Sequence, residues 1–136
     1  MPIDTKTFPL GPAIQAGLVL LEAGFLFHIR HLKAKSHAEH VVLDSVYKDA
    51  ITLGDELLEQ VLGMDKSLLD VLHGGTPERV MVDGPVDAAL ASLVKELEAA
   101  TLQTVDVVVQ NKLQEIVANF RQRQYLLDLA LKEASP

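Results

Sequence analysis

Between residues 28 and 59 the chain carries His28, His31, His37 and His40, together with Glu39, Asp44, Asp49, Asp55, Glu56 and Glu59. Imidazole and carboxylate make a borderline-to-hard donor set, suited to iron, manganese or zinc. Five of these donors, His28, His40, Asp44, Asp55 and Glu59, fall on helical spacings. An α-helix turns about 100° and rises about 1.5 Å per residue. Relative to Asp44, His40 sits at about −40°, Asp55 at about +20° and Glu59 at about +60°, so the four share one face. Along the axis Asp44 and Asp55 are about 16 Å apart, whereas metal–ligand bonds are about 2 Å. One copy of the helix cannot close one site from all four residues.

Two copies can. Position 40 pairs with 59 and 44 with 55, each pair summing to 99. Two such helices, crossed antiparallel about a twofold axis near Asp49 and Ala50, place Asp44 opposite the partner's Asp55 and His40 opposite the partner's Glu59. Such a contact is self-complementary and creates two equivalent sites. His28, one helix earlier in an antiparallel hairpin, approaches His40. Two imidazoles and three carboxylates then converge at each end of the interface. Taken singly, a histidine on an apolar edge is ordinarily a packed residue and an acid on a helix is ordinarily solvated. The joint spacing is what favours a metal. His31 and His37 offer no closed tetrahedral zinc set by spacing. His73, before Gly74, reads as a helix-end residue, and Tyr47 and Tyr125 read as packing residues.

Turn signals mark the elements that must position these donors. Gly11-Pro12 opens a helix over 12–34, with Pro12 at its first position. Its apolar stripe is Ile14, Leu18, Leu21, Phe25, Ile29 and Leu32, with His28 on the edge. Lys33 and Lys35 favour the carbonyls at its end. Ser36 followed by Glu39 is a capping box and starts a helix over 37–62, with Gly63 as the expected C-terminal cap. A short third element, "DKSLLDVL", runs into "HGGTPERVMVDGP", a Gly- and Pro-rich loop. A helix over 86–103 buries Leu90, Leu93, Val94 and Leu97, and the last helix covers 106–132. No Gly or Pro occurs between Val86 and Ser135. One helix there would be roughly 75 Å long against roughly 39 Å for the second helix. Matched lengths require a break between Thr101 and Val107, with Thr104 or Asp106 as the cap. The reading is all-α: a four-helix bundle with a long crossover, carrying a short extra helix, between helices two and three. Two helix pairs joined in this way make a ferritin-like plan.

At 136 residues the chain suits a single domain, with 1–11 as an N-terminal tail. Hydrophobic residues are 49% and aromatics 4%, with no Trp, a mix that suits helices packed on helices. The absence of cysteine excludes disulfides and thiolate sites. The net charge of −7 argues against general nucleic-acid binding, and the first eleven residues hold only Lys6 and Asp4 as charges. "MPIDTKTFPLGP" has no basic n-region of a secretory signal. The apolar run "GLVLLEAGFLF", broken by Glu22, reads as too short to span a bilayer. The expectation is a soluble cytoplasmic protein with no membrane partner.

The spacing His28-x11-His40-x3-Asp44-x10-Asp55-x3-Glu59 resembles the ferroxidase pattern of the Dps-type miniferritins, and the likeness runs from about Ile14 to Leu131. "LQEIVANFRQRQYLLDLAL" resembles that family's last helix, with Tyr125 where a Trp often sits. The resemblance implies a hollow dodecamer built from twofold dimers. It implies that His28, His40 and Asp44 of one subunit meet Asp55 and Glu59 of its mate, bind Fe(II) and oxidise it, usually with hydrogen peroxide, then store the ferric product. Zinc or manganese are the alternative ions. Ile29 stands where the family usually has Trp, and Val41 and Ser45 stand where it has acids linked to mineral nucleation. The lysine-rich DNA-binding tail is absent, so no strong DNA binding is expected. The competing expectation is a helical-bundle scaffold that kept the fold and lost oxidation chemistry.

Overall fold

The computed structural model describes residues 9–70 and 84–134, and the elements there are helical. Four long helices, α1 (Gly11–Leu32), α2 (His37–Met64), α3 (Val86–Gln103) and α4 (Val107–Ala134), form a bundle, with a 3₁₀ turn at Lys66–Leu68. The expected loop 73–85 falls almost wholly outside the described residues, as do His73 and the tail 1–8.

Local chemistry explains the boundaries. Pro12 lies in the first turn of α1, where a missing N–H is harmless. At the start of α2, Ser36 Oγ accepts the Glu39 N–H at 3.1 Å and Glu39 Oε2 accepts the Lys35 N–H at 3.2 Å. That is the expected capping box, shifted back one residue on the carboxylate side. Gly63 does not cap α2. The helix continues through Met64 and ends at Asp65, whose carboxylate accepts the Ser67 N–H at 3.0 Å and starts the 3₁₀ turn. That turn drops Leu68 fully into the core.

The break in the glycine-free stretch lies where length matching places it. α3 stops at Gln103, and Thr104 Oγ1 donates to the Ala100 carbonyl at 2.7 Å. Asp106 Oδ1 accepts the Val109 N–H at 3.0 Å, the N-cap of α4. Gln110 Nε2 donates to the Thr104 carbonyl at 3.2 Å and closes the corner.

α1 and α2 run antiparallel and close together: a Cβ on Gly54 would lie 2.9 Å from Leu20 Cβ, and one on Gly24 would lie 2.4 Å from Ile51 Cγ1. α4 runs antiparallel to α2, tied by Lys112–Glu56 at 2.8 Å and by Arg123 Nε and Asn119 Nδ2 donating to Asp49 Oδ2 at 2.8 and 3.1 Å. Arg30 Nη2 donates to the Gly84 carbonyl at 2.8 Å, which pins the approach to α3 beside the end of α1. Leu43, Leu57, Leu90, Leu93, Leu97, Leu113, Ile116 and Phe120 fill the centre. The expected α3 face is buried as read.

The α1 stripe is different from its sequence reading. The helix buries Ala13, Ala16, Leu20, Ala23, Phe27 and His31, while Phe25 and Leu32 are 66% and 71% exposed. Of the expected stripe Ile14 is fully buried and Leu18, Leu21 and Ile29 are half-buried; the buried side is set by the close α1–α2 contact at Gly17, Gly24 and Gly54. α1 is also 22 residues long and apolar enough to cross a membrane by length and composition, contrary to the shorter run read from the sequence. Of that apolar stretch 61% is buried inside the bundle.

Candidate metal centre

The four residues Lys33–Ser36 reverse the chain, so the last turns of α1 stand beside the first turns of α2. This brings His28 and His31 from α1 together with His40, Asp44 and Tyr47 from α2. His28 stacks on Tyr47 with ring centroids 4.2 Å apart, and His31 lies 3.9 Å from the His40 ring and 6.0 Å from the His28 ring. His31 Nε2 faces Asp44 Oδ1 at 3.6 Å, while Asp44 Oδ2 takes the Lys48 ammonium at 2.9 Å. His40 Nδ1 lies 3.2 Å from the His31 carbonyl oxygen. A carbonyl only accepts, so a neutral His40 carries its proton on Nδ1 and keeps the Nε2 lone pair for a cation. Backbone carbonyls commonly orient metal-binding imidazoles in this way.

His31 is the buried member of the cluster, 8% exposed, whereas His28 and His40 are exposed. Neither His31 ring nitrogen has a hydrogen-bond partner. A buried polar atom left unpaired costs about 1–3 kcal/mol, and native proteins hold few of them. Burial lowers the His31 pKa, the neighbouring His40 lowers it further, and Asp44 pulls the other way. The Lys48 hydrogen bond lowers the Asp44 pKa, so its carboxylate is held charged. His31 is therefore biased toward its neutral form beside an ionised Asp44, the protonation states that bind cations.

Of the five donors read from the sequence, His28, His40 and Asp44 belong to this cluster. Asp55 and Glu59 do not reach it. They are exposed, further along α2 on the same face, together with Val41 and Ile51, which are 50% and 44% exposed. Among the described residues of one chain, no three imidazole or carboxylate groups converge on one point. His37 is exposed on the first turn of α2, away from the set that His31 joins. The sequence offered His31, with His37, only as a zinc candidate whose spacing closes no tetrahedral set. Its alignment with Leu20, Ala23 and Phe27 becomes informative only once the fold selects the buried side of the largely apolar α1.

No protein-family model, curated protein or solved structure matches this chain. Among the described residues the molecule is an all-helical bundle with a histidine–carboxylate cluster at one end of its first hairpin.

Proposed function

We propose that the chain is a ferritin-like, Dps-type miniferritin that binds and oxidises Fe(II) at sites shared by twofold-related subunits, within a cytoplasmic dodecamer. The observation that carries this reading is the division of the five donors. His28, His40 and Asp44 gather at the hairpin end, and Asp55 and Glu59 stand exposed about 16 Å and about 22 Å beyond Asp44 along α2 by helical rise. An antiparallel twofold contact between α2 helices brings the two halves together. Exposed Val41 and Ile51 on the same face are apolar surface that such a contact would bury. The Arg30–Gly84 bond supports the ferritin-like crossover: it holds the start of α3 at the hairpin end, opposite the end where α2 stops.

In this reading His28 and His40 hold one ferrous ion with Asp44, the partner's Glu59 faces or bridges it, and the partner's Asp55 binds directly or through water. Two ferrous ions each give one electron to a two-electron oxidant such as peroxide, whose oxygen atoms leave as water after taking up protons. The carboxylates offset the added positive charge of the ferric product. Iron is the substrate here, and zinc or manganese can occupy the same donors.

The test mixes two inactive variants. His28→Ala and Glu59→Ala homo-oligomers each lack a ligand at every site and should not oxidise iron. Refolded together with random pairing, half of the dimers are mixed, and each mixed dimer has one intact site. Roughly a quarter of wild-type activity should return. An inactive mixture of normal oligomer size refutes the shared site, and a monomer by light scattering removes it altogether. Ile29, Val41 and Ser45, in place of the resembled family's Trp and acids, favour the second reading, a bundle scaffold without oxidation chemistry. An anaerobic iron titration followed by peroxide separates the two.

A further inference from the structure

We propose that His31 is itself a metal ligand, and that with Asp44 and the flanking His28 and His40 imidazoles it forms a nitrogen-rich site on each single chain that takes a zinc-class divalent cation. The inference rests on reading the hairpin end as metal-binding, and it adds a donor and an ion preference that the shared five-residue site does not contain.

Packing alone does not account for the geometry at His31. Its ring is 8% exposed and neither nitrogen is hydrogen-bonded. Its Nε2 is 3.6 Å from Asp44 Oδ1, too long for a good hydrogen bond. Two donors on a tetrahedral ion with bonds of about 2.1 Å are about 3.4 Å apart, so the pair already stands near the length of a coordination edge. The Lys48 ammonium does not block that edge, because it sits on Asp44 Oδ2. In the neutral His40 ring the proton on Nδ1 faces the His31 carbonyl at 3.2 Å, which makes Nε2 the nitrogen open to an ion. His28 and His40 are exposed, so turning His28 off its Tyr47 stack and pivoting His40 about its Nδ1–carbonyl bond displaces solvent rather than core. That movement is the step that completes a set not yet converged among the described residues of one chain.

The donor count sets the ion. Three imidazoles and one carboxylate form a four-coordinate, mostly nitrogen set, which suits zinc and its spectroscopic substitute cobalt(II) better than magnesium or calcium. The shared site adds two carboxylates and is harder, closer to what iron takes. One chain thus offers a nitrogen-rich site before pairing, and the twofold mate changes its character.

The test is cobalt(II) titration of the full-length protein, followed by its visible ligand-field bands. The full-length wild type should bind cobalt with the intense spectrum of a four-coordinate ion. His31→Leu should weaken binding at least about tenfold and alter or abolish the bands, a change that loss of packing alone would not produce in a folded variant. Should His31→Leu fail to fold, zinc is added to the unmutated, nitrogen-15-labelled protein, and the His31 ring nitrogen resonances should shift. Cobalt binding and bands unchanged in a folded His31→Leu protein overturn the proposal, as do unmoved His31 resonances or an absence of cobalt binding. Iron oxidation is measured on the same samples. Loss of oxidation in wild type with cobalt binding intact removes the iron reading and leaves this one standing.

Discussion

The spacing of the donors depends on how closely α1 and α2 approach, and two glycines of α2 test that dependence with opposite signs. A methyl group on Gly54 would lie 2.9 Å from Leu20 Cβ, 3.2 Å from the Gly17 carbonyl oxygen and 3.3 Å from Leu21 Cδ2. Carbon pairs rest at about 3.5–4.0 Å, so the contact with Leu20 is short by roughly 0.6–1.1 Å. Leu20 Cβ and the Gly17 carbonyl are fixed to the α1 backbone and cannot swing aside, so the helices themselves must separate. A methyl group on Gly63, in the last turn of α2, meets nothing within 4 Å. Both substitutions to alanine gain helix propensity, up to about 1 kcal/mol and less near a helix end. Only Gly54→Ala adds an overpacking penalty, about 1–3 kcal/mol. Gly63→Ala should be neutral to slightly stabilising, and Gly54→Ala should fall about 1–3 kcal/mol below it. At roughly 4 °C per kcal/mol for a chain of this size, the melting temperatures should differ by about 4–12 °C. The assay is urea unfolding followed by circular dichroism, at one fixed protein concentration because assembly contributes to apparent stability. Gly54→Ala should also weaken cobalt binding, since separating the helices opens the His31–Asp44 edge, whereas Gly63→Ala should not. A Gly54→Ala protein as stable as Gly63→Ala would refute the close packing and the donor spacing that depends on it.

Other outcomes follow from charge. The pKa of His31 is lowered in the folded chain, first by burial, so the unfolded chain binds the proton more readily. Stability should therefore fall as pH drops through the window below the ordinary histidine value of about 6.5, and His31→Leu should lose that part of the slope. The Asp44 shift acts only at the lower pH of carboxylate titration and leaves this window alone. Urea midpoints of the two proteins measured between pH 5 and 7.5 check this; parallel curves would refute it. With a net charge of −7, the protein should not shift a DNA fragment at low micromolar concentration and physiological salt; a shifted band would reveal a basic surface that the net charge conceals.

Features that depend on neighbours along the chain are legible in the sequence itself. The Ser36–Glu39 box and a cap at Thr104 or Asp106 can be read there because a cap is satisfied within three or four residues, and the break itself follows from matching helix lengths. The α3 face can be read because polar residues alternate with its leucines. The buried face of α1 cannot. That helix is apolar nearly all round, so periodicity does not choose a side, and glycines and alanines admit α2 where the larger Phe25 and Leu32 cannot. Gly63 fails as a stop signal because Asp65 supplies a cap two residues later. The donors divide in the same way. The shared face of His40, Asp44, Asp55 and Glu59 follows from helical rotation alone, and so does the impossibility of closing them in one chain. The central place of His31 is decided only by tertiary structure. Its burial against His40 and Asp44 depends on the four-residue reversal that lays the end of α1 on the start of α2, and no local pattern sets which side chains then meet.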